Sequence, residues 1–229
     1  EQGGPDATVH IGGFVDFLNG GVRLGAHDMF ITEACEYVES FLTLRPTIAL
    51  INNIDNDHLD YYGDMEHIVA AFKKFAALLP ENGLLIGNTD DFRVRALMAE
   101  HTGRKLSYGM KDADYTPAAA AVAREIGADD KCIVSALNAF RNTRRRFEYY
   151  GERNGVKYYH DYGHHPSEIA ATMKAASNVK HNKLFCVFQC NSYTRAKTLF
   201  LNDVTCFNLA DETLVPDIYP GREKDDGSV

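Results

Sequence analysis

The sequence predicts an α/β protein, with a doubly wound and mostly parallel sheet over residues 1–150 and a smaller α/β unit over residues 151–229. Three observations predict it. Short apolar runs, such as 48–52 (Ile-Ala-Leu-Ile-Asn) and 83–87 (Gly-Leu-Leu-Ile-Gly), read as strands covered on both faces. Between such runs, apolar residues recur at helical spacing, and that alternation is the pattern of a parallel sheet with helical crossovers. At 141–146 (Arg-Asn-Thr-Arg-Arg-Arg) the alternation gives way to a basic turn and a β segment, 147–150 (Phe-Glu-Tyr-Tyr), which places a boundary near 148–154.

In chain order, residues 1–28 are Gly-rich, with short strands expected at 9–11 and 22–24 around an Asn19-Gly20-Gly21 turn. Residues 29–33 and 48–52 are expected as buried strands. Over 66–79, Ile68, Phe72, Phe75 and Leu79 make the stripe of an amphipathic helix. A strand at 83–87 precedes a helix that Thr89 or Asp90 caps and that ends near Glu100. A strand near Leu106 leads to Thr116-Pro117, read as the cap and first-turn proline of an Ala-rich helix through Ile126. Ile133, Leu137 and Phe140 share one face of the next helix. In the second unit a strand over 155–159 enters the corner 160–168 (His-Asp-Tyr-Gly-His-His-Pro-Ser-Glu), where Pro166 opens a helix to Ala176. A strand over 184–188, a helix over 194–207 and a strand over 213–217 follow.

The 229 residues are 45% apolar and 24% charged, as in ordinary soluble globular proteins. A net charge of −8 argues against a broad nucleic-acid surface, and no apolar run approaches membrane-spanning length. Five scattered cysteines (35, 132, 186, 190, 206) with no C-x-x-C pair argue against a disulfide framework or a zinc ribbon, and fit a reducing cytosol. Cys186 and Cys190 are expected in the core. Opening on Glu1 and closing on a loop-like 225–229, the chain is expected to be a fragment.

Candidate sites cluster at predicted strand ends, where α/β proteins bind ligands. Glu33-Ala-Cys-Glu36 ends one strand, and the stretch from Asn52 through Asp57, His58 and Asp60 ends the next. A Glu and a His there could hold a divalent ion, and oxygen-rich surroundings suit Mg²⁺; the alternative is a set of solvated turn and cap residues. Arg144, Arg145 and Arg146 form either a phosphate clamp or a solvated basic turn. In the 160–168 corner, His164 and His165 are adjacent, which is poor geometry for two ligands of one ion. Asp161 is the stronger candidate there, as an acceptor for a ribose hydroxyl. The competing reading is a structural corner whose imidazoles cap the Pro166 helix. Arg195, after the strand ending near Cys190, can be structural or functional.

Four blocks then stand in order: Thr32-Glu-Ala-Cys-Glu-Tyr37 with Ser40-Phe-Leu42; Asn53-Ile-Asp-Asn-Asp-His58-Leu-Asp60; Arg145-Arg-Phe-Glu148; and His160 to Glu168 with Tyr193-Thr-Arg195 and 219–224 (Tyr-Pro-Gly-Arg-Glu-Lys). Together they resemble the Mur ligases, nearly end to end, and the double histidine favours the alanine-adding branch. The resemblance implies a partial ATP-binding central domain over 1–150 and a partial, Rossmann-like C-terminal ligase domain over 151–229. It also implies ATP and Mg²⁺ as cofactors, UDP-N-acetylmuramate and L-alanine as substrates, and amide formation through an acyl phosphate in the cytoplasm. Glu33 and His58 match metal-binding positions, with His58 and Arg195 in catalytic roles. Arg146 and Asp161 match positions that reach the nucleotide. His164, His165 and Arg195 match positions that handle the substrate carboxylate and the incoming amino acid.

Three departures accompany the matches. No G-x-x-x-x-G-K-[ST] occurs; in the family that loop lies upstream, with a domain that binds the UDP moiety. The family's adenine-contacting segment, expected before Ala118, is missing, and Cys190-Asn191-Ser192 stands where the family usually has Pro-His. The expected behaviour is that of a fragment inactive by itself. Two other readings are a metal-dependent hydrolase using Asp57-His58 and His164-His165, and a non-catalytic remnant that binds nucleotide.

Overall fold

The computed structural model describes residues 4–110, 113–140, 143–200, 204–221, 223–225 and 227. Its backbone contacts divide the chain into two units, Glu1–Arg141 and Asn142–Val229. The 148–154 stretch forms the first strand of the second unit and enters its hairpin turn.

The first unit is built on three parallel strands in the order β4-β5-β6, namely β4 (Ile48–Ile51), β5 (Leu84–Asn88) and β6 (Arg104–Tyr108). Because side chains alternate along a strand, Ala49, Ile51 and Leu85 face one way and Ile48, Leu50, Leu84 and Ile86 the other. The first face is covered by α2 (Met65–Ala76) and α3 (Phe92–Glu100), through Ile68, Ala71, Phe75, Val94, Leu97 and Met98. The second is covered by α4 (Ala118–Glu125), through Ala118, Ala121 and Val122. Helices on both faces of a parallel sheet are what the apolar runs predicted, and Leu84, Leu85 and Ile86 are almost wholly removed from water. Gly87 makes the α3 contact achievable. A Cβ there would lie 2.2 Å from the Met98 sulfur and 2.9 Å from Val94 Cγ1.

Helix starts differ from the sequence expectation by a residue or two. Asp91, not Thr89 or Asp90, caps α3, accepting from the amides of Arg93 at 2.9 Å and Val94 at 2.8 Å; Asp90 accepts from the Met110 amide instead, at 2.8 Å. Pro117 is itself the N-cap residue of α4, and no side chain caps that helix. In α5 (Asp130–Ala139), Ile133 is buried but Leu137 and Phe140 are exposed, so the expected stripe is covered only at its start.

A second sheet of this unit, β2-β1-β3, pairs β1 (Thr8–Val15) antiparallel with β2 (Gly20–Arg23) through a turn at left-handed Asn19, and parallel with β3 (Phe30–Thr32). The expectation of a buried strand at 29–33 fails. Phe30 and Ile31 are exposed, and no residue of this sheet joins the buried clusters of the described residues. An apolar run identifies a strand; whether a second layer covers it depends on distant residues.

The second unit opens with the antiparallel hairpin β7 (Glu148–Arg153) and β8 (Val156–His160), joined at Asn154 and Gly155, both at positive φ as a tight hairpin turn requires. After the corner comes α6 (Pro166–Ser177), which packs through Ile169 and Met173 on Phe188, Cys190 and Cys206. Strands β9 (Phe185–Val187) and β10 (Glu212–Leu214) pair in parallel. The helix expected over 194–207 is broken. It comprises α7 (Tyr193–Arg195), a π turn over Ala196–Phe200 and a 3₁₀ turn over Thr205–Phe207, and residues 201–203 lie outside those described. All five cysteines are free, with Cys190 and Cys206 buried. No described helix is long and apolar enough to cross a membrane.

Candidate functional site

The first candidate group lies just past the carboxyl end of β4. There His58 adopts a left-handed backbone (φ 56°, ψ 37°), with its amide fixed on Asp57 Oδ1 at 2.8 Å. Its Nε2 lies 3.3 Å from Glu36 Oε1 and 3.7 Å from Asp57 Oδ2. The Tyr37 ring sits 4.7 Å from the imidazole, centroid to centroid. The Tyr62 hydroxyl donates to the Glu36 carbonyl; burial, reinforced by Glu39 and Glu36, pushes that phenol up to about 12. At the neighbouring strand end, Tyr108 reaches across β5 to donate to Asn52 Oδ1 at 2.6 Å.

Among the described residues, one group can hold a metal ion, Glu36, Asp57 and His58, with ligand atoms within 4.8 Å of one another. The two carboxylates supply hard oxygen donors of the kind Mg²⁺ takes, and the imidazole supplies a borderline nitrogen that suits Mn²⁺ or Zn²⁺ as well. Glu33, the other residue expected to bind metal, is placed differently. Its Oε2 accepts from the Gly12 amide at 2.7 Å.

The second group is the 160–168 corner. Asp161 accepts from the Phe147 amide at 2.7 Å through Oδ2 and from the Gly163 amide at 2.6 Å through Oδ1. The Tyr162 amide donates to the Arg145 carbonyl at 2.8 Å. The corner and the basic turn are thereby sewn together, and Arg146 comes within 3.4 Å of Glu168. His165, buried among these residues, is the N-cap of α6. Its Nδ1 accepts from the Ser167 amide at 3.3 Å, and Glu168 reaches back to the His165 amide, also at 3.3 Å, completing a capping box. The reading of an imidazole as helix cap therefore holds for His165. His164 lies beside it, its amide on Glu168 Oε2 at 2.9 Å and its Nδ1 3.6 Å from the same oxygen. Burial tends to raise the Glu168 carboxyl, but the His164 and His165 amides, with His164 and Arg146, outweigh it and hold the group below its ordinary value.

Arg195 lies on α7, where its amide donates to Ser192 Oγ at 3.3 Å. The Cys190-Asn191-Ser192 loop is tied to Tyr219, whose carbonyl accepts from the Ser192 amide at 2.8 Å and whose amide donates to the Cys190 carbonyl at 2.9 Å.

Residues 21–135 match the Mur ligase middle domain, and residues 145–217 match the Mur ligase glutamate ligase domain. The chain belongs to the Mur ligase family. It is 38% identical to a UDP-N-acetylmuramate–L-alanine ligase of Clostridium beijerinckii, over 98% of this chain and 58% of that protein. A ligase of the same name from Clostridium botulinum is also 38% identical, over 98% of this chain and 57% of its own length. The fold matches the crystal structure of a UDP-N-acetylmuramate-alanine ligase from Thermotoga maritima with a TM-score of 0.71, at 23% identity, over 93% of this chain and 56% of that one. The chain thus spans less than two thirds of the length of these Mur ligase relatives.

Two residues of this Mur ligase chain escaped the sequence reading. Glu36 stood in the acidic Glu33-Ala-Cys-Glu36 segment, read as able to supply one Glu ligand, but the family resemblance selected Glu33. Glu168 stood at the third helical position after His165, a capping-box spacing with histidine in place of the usual hydroxyl residue.

Proposed function

We propose that this chain carries the metal and junction residues of an ATP-dependent ligase that joins L-alanine to UDP-N-acetylmuramate, a cytoplasmic step in making peptidoglycan precursors. The convergence of Glu36, Asp57 and His58 past the end of β4 carries the reading, in a chain of this family. In such a ligase the substrate carboxylate is phosphorylated by ATP, the amino group of L-alanine displaces phosphate from the acyl phosphate, and an amide results. Phosphoryl transfer asks the protein for positioning and for charge stabilisation rather than covalent chemistry.

His58, Glu36 and Asp57 would hold Mg²⁺, which supplies charge neutralisation at the phosphates when bound. Glu33, fixed by the Gly12 amide, is the remaining carboxylate of that segment, and its ligand role rests on the resemblance. Tyr37 shields one side of the imidazole. At the corner, Arg146 offers a guanidinium suited to phosphate oxygens. Asp161 has both oxygens engaged by amides, so a ribose hydroxyl would share an oxygen already in use. His165 works through its cap, which leaves His164 as the more available imidazole of the pair. Arg195 for the amino acid remains part of the proposal through its motif. The 229 residues contain no phosphate-cradling G-x-x-x-x-G-K-[ST], so we expect no ligation from this chain alone.

Metal analysis and a Mn²⁺ titration followed by water-proton relaxation test the reading. Weak Mn²⁺ binding that Mg²⁺ displaces, without retained zinc, is expected, as is weakening by His58→Asn and Glu36→Gln. Stoichiometric zinc in the purified protein would favour the hydrolase instead. Phosphate release that requires both UDP-N-acetylmuramate and L-alanine would show that these residues suffice for turnover, against the expectation above.

A further inference from the structure

The two carboxylates of the corner differ in what they hold. Asp161 takes the backbone amides of Phe147 and Gly163. Glu168 meets a charged or ionisable side chain at each oxygen: Oε1 lies 3.4 Å from Arg146 Nη1, and Oε2 lies 3.6 Å from His164 Nδ1 while accepting the His164 and His165 amides. A capping box requires only an oxygen aimed at the N-cap amide, and Gln serves as well as Glu. The cap therefore leaves the Arg146 contact unexplained. Arg146 comes from a turn 22 residues upstream, with neighbours Arg145 and Phe147 both at positive φ and with Phe147 and Arg145 tied to Asp161 and Tyr162. An exposed ion pair of this kind adds little stability. What it does supply is direction.

We propose that Glu168 is a positioning residue: its oxygen holds the His164–His165 backbone, as the cap requires, while its charge aims the Arg146 guanidinium, so that the corner presents its cation to an anionic phosphate group in one orientation. The inference rests on the reading that this corner meets the nucleotide, and its test separates the two.

The full chain, ¹⁵N-labelled, is compared as wild type, Glu168→Gln and Glu168→Ala. Gln retains the size of Glu and an amide-accepting oxygen, so Glu168→Gln should lose only the small contribution of the charge, unfold slightly below the wild-type temperature at neutral pH, and keep the His164 and His165 amide resonances near their places. Its Arg146 Nε–H resonance should move to that of a freely rotating guanidinium. The dissociation constant for MgADP, followed by chemical shift, should rise about fivefold, the order expected for losing one exposed charge contact. If Glu168→Gln matches wild type in the Arg146 resonance, and only Glu168→Ala differs through lower stability, Glu168 is a cap and nothing more. If wild type shows no MgADP-dependent shift, the nucleotide reading fails, while the Arg146 resonance still decides whether Glu168 positions it.

Discussion

Val38 is a β-branched residue held at φ 49°, ψ 32°, and Glu39 follows it at φ 55°, ψ 26°. Two successive left-handed residues come directly after Glu36 and Tyr37, the pair that meets His58. Glu39 is steadied by Lys74, 2.9 Å away, whereas Val38 is about half exposed and has little burial to offset its strain. Asn tolerates this conformation, and an ordinary side chain there costs about 1–2 kcal/mol. Val38→Asn is therefore expected to raise the urea-unfolding free energy by about 1 kcal/mol; a decrease would place the constraint elsewhere. Asp161 gives the opposite case. Its removal strands the Phe147 and Gly163 amides together, and Asp161→Ala should cost about 2–3 kcal/mol by the same measurement. A change under about 0.5 kcal/mol would mean that water replaces the carboxylate without loss.

At the scale of elements, the capping box that opens α6 includes one titrating carboxyl, Glu168. The folded Glu168 carboxyl lies below its ordinary 4.5, because the His164 and His165 amides and the nearby cations outweigh burial. A depressed carboxyl contributes stability that is complete above its unfolded value and lost as the pH falls through the folded one. Wild type should accordingly lose stability below about pH 4.5, and in Glu168→Gln that part of the loss should be absent from a pH series of unfolding curves. Equal acid-side slopes in the two proteins would contradict the assignment. The contact of β5 with α3 is the other sensitive element. A Cβ at Gly87 would press on Met98 and Val94, so Gly87→Ala should lower stability by about 1–3 kcal/mol through overpacking. A neutral result in thermal unfolding would show that Met98 gives way freely.

Across the whole molecule, apolar residues of similar appearance have unlike surroundings. Leu85 is fully buried between β4, α2 and α3, while Phe30 on β3 is 59% exposed. Leu85→Ala should cost about 2–5 kcal/mol and Phe30→Ala less than about 0.5 kcal/mol; comparable losses would mean that β3 is covered in solution. The sequence by itself determined the parallel sheet with its two helical faces, the family and the chemistry-bearing segments. Apolar period, turn residues and motif spacing are local properties, and local chemistry encodes them. Only the tertiary structure decided that Glu36 and Asp57, rather than Glu33, stand beside His58, that His165 caps α6, and that Glu168 receives Arg146. Each of those depends on where a distant backbone segment delivers an amide or a charge. Spacing along the chain carries no record of that delivery, because it is set by packing between residues far apart in sequence.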